Sequence, residues 1–165
     1  MKGKGQKLWE KAKKLIPGGS QLLSKRAELY APEQWPAYYS KAKGAYVWDL
    51  DGKKYLDMLN MGIGGCMLGY ADADVNKAVI NAVKRGSMTT LNAPEEVELA
   101  ELLLRLHPWA GMVRYARTGG ESMAIAARIA RAYTGRETIA FCGYHGWADW
   151  YIATNLKTKD GLADH

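Results

Sequence analysis

An α/β fold is predicted for this chain by three observations. Two aromatic and β-branched runs, Tyr46-Val47-Trp48 and Tyr55-Leu56, flank an Asp51-Gly52 pair, the pattern of a β-hairpin. Apolar residues recur at helical spacing in several separate stretches. Between residues 112 and 141 the chain reads strand, small-residue turn, helix and strand, the alternation that builds α/β layers.

Taken in order, residues 6–16 predict an amphipathic helix through Leu8, Trp9, Ala12, Leu15 and Ile16, stopped by Pro17-Gly18-Gly19. Lys2, Lys4, Lys11, Lys13 and Lys14 lie among or before these positions and read as the solvated side of that helix. The hairpin occupies residues 45–58. It is followed by Asn60–Gly69, where Gly62, Gly64, Gly65 and Gly69 either wrap closely around a ligand or make a flexible crossing between domains. Val75, Val79, Ala82 and Val83 give the next helix, with Gly86 as its stop. Pro94, Glu95 and Glu96 suit the first turn of a further helix, because a missing N–H is harmless there and negative charge is favourable. Val97, Ala100, Leu103 and Leu104 are its expected buried face.

The chain is organised around residues 117–149. A strand over Met112–Ala116 runs into Thr118-Gly119-Gly120, and a helix follows with Met123, Ala126, Ala127 and Ala130 on a narrow face. Arg128 and Arg131 fall on the other side, solvated or paired across a subunit contact. After Gly135, a second strand around Ile139–Phe141 leads to Tyr144-His145-Gly146. Glycines allow close backbone approach, the first N–H groups of a helix lack intrahelical acceptors, and the helix dipole adds partial positive charge. A strand–glycine turn–helix start is therefore a recipe for holding a phosphate.

These residues resemble class III pyridoxal-phosphate enzymes, in particular the glutamate-1-semialdehyde aminomutase-like branch of the aminotransferases. Thr118, Gly119 and Gly120 match the turn that receives the cofactor phosphate, Glu121 matches its acid, and Tyr144-His145-Gly146 matches the motif that stacks on the pyridine ring. Leu15-Ile16-Pro17-Gly18-Gly19 resembles the opening of aminomutase-like enzymes. Arg26, or its neighbour Lys25, falls near an arginine that helps bind the substrate carboxylate in some relatives. The chain departs from the aminomutase pattern at Arg117 and Gly120, where Asn and Thr are usual, and at Trp147, where His is common.

The resemblance implies the N-terminal part of a fold-type I transferase. Residues 1–60 would be a small-domain segment of helix plus hairpin, and residues 61–165 the start of a large, mostly parallel α/β/α domain. It implies pyridoxal phosphate as cofactor, a small amino or keto compound as substrate, and a homodimer. Cofactor contacts fall to Thr118, Gly119, Gly120, Tyr144 and His145, with Arg26 on the substrate side. The lysine that bonds the cofactor belongs further along the family's chain; Lys157 and Lys159 sit in a polar stretch and match it in neither position nor context. A fragment without that lysine is expected to be inactive alone, with no catalytic residue of its own. The other reading is a non-catalytic half-enzyme or phosphate-binding module completed by another polypeptide. Strands near 112–117 and 137–141 would lack bridging neighbours, so exposed apolar surface is expected.

Composition excludes other classes. At 48% hydrophobic and 24% charged residues the chain is ordinary globular material. The net charge of +6 is spread along the chain without aromatic interleaving, so nucleic acid is not expected as a partner, and with no apolar run of membrane-spanning length neither is a membrane. Cys66 and Cys142 form no Cys-x-x-Cys pair and no disulfide framework, which suits a reducing cytoplasm. Cys142 and His145 have the spacing of half a metal site without a second half, so no metal is expected.

Overall fold

The computed structural model describes residues 2–59 and 62–152. The chain divides into two compact units, Met1–Thr90 and the part from Leu91 onward.

The first unit opens with α1 (Lys4–Leu15). Its Trp9 and Ala12 pack with Ala27, and Trp35, Ala37 and Tyr38 close around them. Trp9 also donates its indole N–H to Glu28 Oε1 at 2.9 Å. Gly19 sits so close that a Cβ there would lie 2.6 Å from the Trp9 ring, which explains a glycine at φ 76° after the helix.

A three-stranded antiparallel sheet follows in sequence order: β1 (Tyr39–Lys43), β2 (Tyr46–Asp49) and β3 (Lys54–Leu56). The hairpin expected from the sequence is β2–β3, with Trp48 opposite Lys54 and Tyr46 opposite Leu56. Asp49 locks its turn by accepting from Asp51 N, Lys53 N and the Tyr55 hydroxyl, each at 2.9 Å. Burial pushes the Asp49 carboxyl up, but these donors outweigh it and hold the group below the usual carboxylate range. The third strand, β1, is an addition to the sequence reading. Lys41 lies over Trp48, at 5.0 Å, and Lys54 over Tyr46, at 3.8 Å, so lysine stems and ammonium groups cover the aromatic face.

The glycine-rich loop returns to this sheet. Gly44 and Tyr70 exchange two backbone hydrogen bonds of 2.8 Å, and the Tyr70 hydroxyl donates to Asp57 Oδ2 at 2.5 Å. Beyond it, α2 (Ala73–Arg85) begins at Asp72, whose carboxylate accepts from Asp74 N and Val75 N, and ends at Gly86, φ 98°.

In the second unit, α3 (Glu95–Leu106) starts directly after Pro94 with Glu95, Glu96 and Glu98 in its first turn. The long helix α4 (Gly119–Thr134) is capped by Thr118 and ends at Gly135 in the left-handed conformation. A single turn, α5 (Asp149–Ile152), closes the described chain. Two sequence expectations need correction here. Neither 112–117 nor 137–141 forms a strand, because a strand requires a ladder partner and neither stretch has one among the described residues. The expected helix faces are also not buried: Val97 of α3, like Val75, Val79 and Val83 of α2, is exposed. Helical period identifies an apolar face but does not supply its cover, and exposed apolar surface is what unbridged strands led us to expect.

Candidate cofactor-phosphate site

The start of α4 is built by a reciprocal cap. Thr118 Oγ1 accepts from Glu121 N at 3.2 Å, while Glu121 Oε2 accepts from Thr118 N at 3.2 Å and Arg117 N at 2.9 Å. Thr-Gly-Gly-Glu is a capping box readable in the sequence. It satisfies the third helical N–H and leaves those of Gly119 and Gly120 without an acceptor among the described residues. A Cβ on Gly119 would meet nothing within 4 Å, so the space beside that N–H is open.

The loop carrying the aromatic motif lies against this helix start. Gly146, at φ 100°, approaches so closely that a Cβ there would sit 2.7 Å from Gly120 Cα and 3.2 Å from Gly120 N. Glycine at 146 is what permits this approach. The following Trp147 brings its indole edge alongside: Nε1 is 3.6 Å from where a Gly120 Cβ would be. Thr118, Gly119, Gly120 and the Tyr144–Gly146 motif are thus brought to one place.

Tyr151 anchors that loop. It is buried, donates its hydroxyl to Gly143 O at 2.7 Å, and packs against Phe141, His145 and Tyr144. His145 stands edge-on to Phe141 and Tyr151. Tyr144 meets Tyr151 at 90°, yet it is 74% exposed. A tyrosine so exposed is not a core residue, and most of its surface is open to a ligand. Sequence reasoning stopped at Gly146 and missed Trp147 and Tyr151. The aromatic density of Trp147, Trp150 and Tyr151 was the available signal.

Phosphate needs converging N–H donors, room and little competing bulk. Two free N–H groups, the Thr118 hydroxyl proton and the absence of side chains at Gly119, Gly120 and Gly146 meet those needs. The residues fit pyridoxal phosphate, with its phosphate at the helix start.

The first unit contains a separate cavity of about 440 Å³, walled by Tyr30, Trp35, Trp48, Tyr70 and Cys66 among others. Gly62 and Ile63 of the glycine-rich loop also line it. Lys25 belongs to its wall, whereas Arg26 precedes the short 3-10 turn Ala27–Leu29 and is not among the lining residues. Lys157 and Lys159 lie outside the described residues. Among the described residues there is no cluster of three or more metal-ligating side chains, and no helix is long and apolar enough to cross a membrane.

Comparison with known proteins gives a consistent result. The model of the family "Aminotransferase class-III" matches residues 29–162. A 3-aminobutyryl-CoA aminotransferase from Cloacimonas acidaminovorans is 36% identical over 94% of this chain and 36% of its own length. A glutamate-1-semialdehyde 2,1-aminomutase from Desulfotalea psychrophila is also 36% identical, over 96% of this chain and 36% of its own length. Among solved structures, an omega-transaminase from Sphaerobacter thermophilus superposes with a TM-score of 0.79 at 35% identity, covering 90% of this chain and 33% of that one. A transaminase with PLP bound gives a TM-score of 0.79 at 30% identity, covering 90% of this chain and 34% of that one. The chain spans about a third of the length of the curated relatives it matches.

Proposed function

The chain belongs to the class-III aminotransferases, pyridoxal-phosphate proteins of fold type I, and from that membership we propose that it is the N-terminal portion of an aminotransferase or aminomutase. Its part is to seat the cofactor. The carrying observation is the pair of free N–H groups at Gly119 and Gly120, held under the Gly146 turn that presents Tyr144. In this reading Thr118, Gly119 and Gly120 bind the phosphate, Tyr144 covers one face of the ring, and His145 helps hold the loop through its contacts with Phe141 and Tyr151. When bound, the cofactor supplies an electrophilic carbonyl and an electron-withdrawing ring.

The remaining assignments follow from the same membership. Residues 1–60 serve as the small-domain segment and residues 61–165 as the start of the cofactor-binding domain. The substrate is a small amino or keto compound that reacts in the complete enzyme, which supplies the bonding lysine, is a homodimer and works in the cytoplasm. Lys25 in the aromatic cavity wall, with Arg26 next to it in sequence, gives the first unit a cation for a substrate carboxylate. Coverage of a third of each relative supports a share in the active site rather than the whole of it.

The test is cofactor affinity of the complete enzyme and its Tyr144→Ala variant, followed by absorbance of the bound cofactor. An aromatic face contributes roughly 0.5–1.5 kcal/mol beyond burial, so the expected loss is up to about tenfold. Because Tyr144 is exposed, the melting temperature of the cofactor-free variant should hardly move. Unchanged affinity in the folded variant removes the stacking role. Failure of the wild-type protein to retain cofactor rejects the whole reading.

A further inference from the structure

A tryptophan immediately after the Gly146 turn has a consequence beyond backbone approach. Trp147 is 70% exposed, so burial does not account for its position, and its indole N–H has no acceptor among the described residues. Yet its Nε1 and Cδ1 edge is the part nearest Gly120, with Nε1 at 3.6 Å and Cδ1 at 3.7 Å from a Cβ built there. The ring's one hydrogen-bonding group therefore lies beside the helix start, where Gly119 and Gly120 leave two backbone donors free. Indole N–H only donates, so the group it suits is an acceptor.

We propose that Trp147 is a phosphate-binding residue, its indole adding a third N–H donor to those of Gly119 and Gly120, beside the Thr118 hydroxyl. This rests on the cofactor-seating reading above. The donor is supplied from the loop that carries Tyr144, so phosphate binding and ring stacking draw on one segment, residues 144–147.

The experiment is a titration of the complete enzyme, freed of cofactor and isotope-labelled, with pyridoxamine phosphate, followed through the backbone amides of Gly119 and Gly120 and the Trp147 indole N–H. The amine form of the ligand carries no aldehyde and so forms no adducts with surface lysines. Trp147→Phe identifies the indole signal by its disappearance. We expect the three signals to shift together with one Kd, pyridoxamine without phosphate to leave the indole in place, and Trp147→Phe to bind roughly tenfold more weakly, the loss of one hydrogen bond to a charged group. If the glycine amides shift while the indole does not, or if plain pyridoxamine moves the indole equally, Trp147 is not a phosphate donor and the cofactor reading stands without it. If none of the three responds, both fall.

Discussion

The two units solve the problem of burial differently. Met1–Thr90 buries Trp9, Ala12, Ala27 and Asp49 and completes a sheet of its own; from Leu91 onward the buried side chain is Tyr151 alone among the described residues. The reason is topological. An antiparallel meander satisfies each strand with the next one, a few residues away, so β1–β2–β3 closes within Tyr39–Leu56. A parallel sheet brings strands together only across long connections, so 112–117 and 137–141 remain without a ladder. Helix α2 lies in the same unit as a finished sheet and still buries no residue, so belonging to that unit is not enough. What the second unit does possess is a local device, the capped helix start with Gly146 against it, and such a device needs no sheet to be specified.

The largest effect should come from emptying the first unit's core. Trp9→Ala removes the side chain around which Ala12, Ala27 and Trp35 pack, together with the donor to Glu28. Large-to-small changes of this kind cost about 3–5 kcal/mol. Hydrogen exchange of the α1 and β2 amides should accelerate accordingly, with those of α4 as the internal reference. Little change at β2 would mean that the sheet carries this unit and the Trp9 cluster does not.

The second unit is tested at its one close approach. Gly146→Val puts a Cβ 2.7 Å from the Gly120 backbone and places a branched residue at φ 100°. Backbone strain of this type costs about 1–3 kcal/mol, and the clash is relieved only by lifting the loop from the helix. Anion binding at α4 should become undetectable while α4's own helicity persists, because its cap is made by Thr118 and Glu121 alone. Circular dichroism and phosphate titration separate the two; loss of the helix itself would show that the cap depends on the loop.

The same division decides what could be read from the sequence. The β2–β3 hairpin was legible because Asp51-Gly52 and its flanking aromatics are local signals, and the start of α4 was legible in the turn Thr118-Gly119-Gly120, though its capping by Glu121 was not read. β1 was not, since Tyr39-Ser40-Lys41-Ala42-Lys43 has no apolar face and is a strand only because Lys41 and Lys43 pair opposite Trp48 and Tyr46. The two expected strands of the second unit have strand composition, but composition says nothing of a partner. Thr118, Gly119, Gly120 and Tyr144 were expected as cofactor contacts through the resemblance that Thr-Gly-Gly-Glu and Tyr-His-Gly carry, not through spacing alone. For Trp147 aromatic density was the one signal, and it could not give the place, which depends on a positive φ at Gly146 and its close approach to Gly120, about 26 positions earlier in sequence.

The smallest expected effect lies where the first unit ties its glycine-rich loop to the sheet. Tyr70 donates to Asp57 at 2.5 Å, and this bond, with burial adding to it, pushes the phenol up to about 12. An unfolded tyrosine ionises near 10. The folded value is the higher one, so the bond's contribution is fully present below about pH 10 and is lost as pH rises from there through about 12. Tyr70→Phe keeps the ring and leaves the backbone exchange with Gly44 intact, removing the hydroxyl alone. A net cost of about 1 kcal/mol is expected at neutral pH. Urea denaturation of both proteins between pH 7 and 12 should show their midpoints converging at the alkaline end, since wild type then loses what the variant never had. Midpoints that stay equally spaced would show that Tyr70 acts through ring packing, and the loop's attachment would then rest on its two backbone bonds to Gly44.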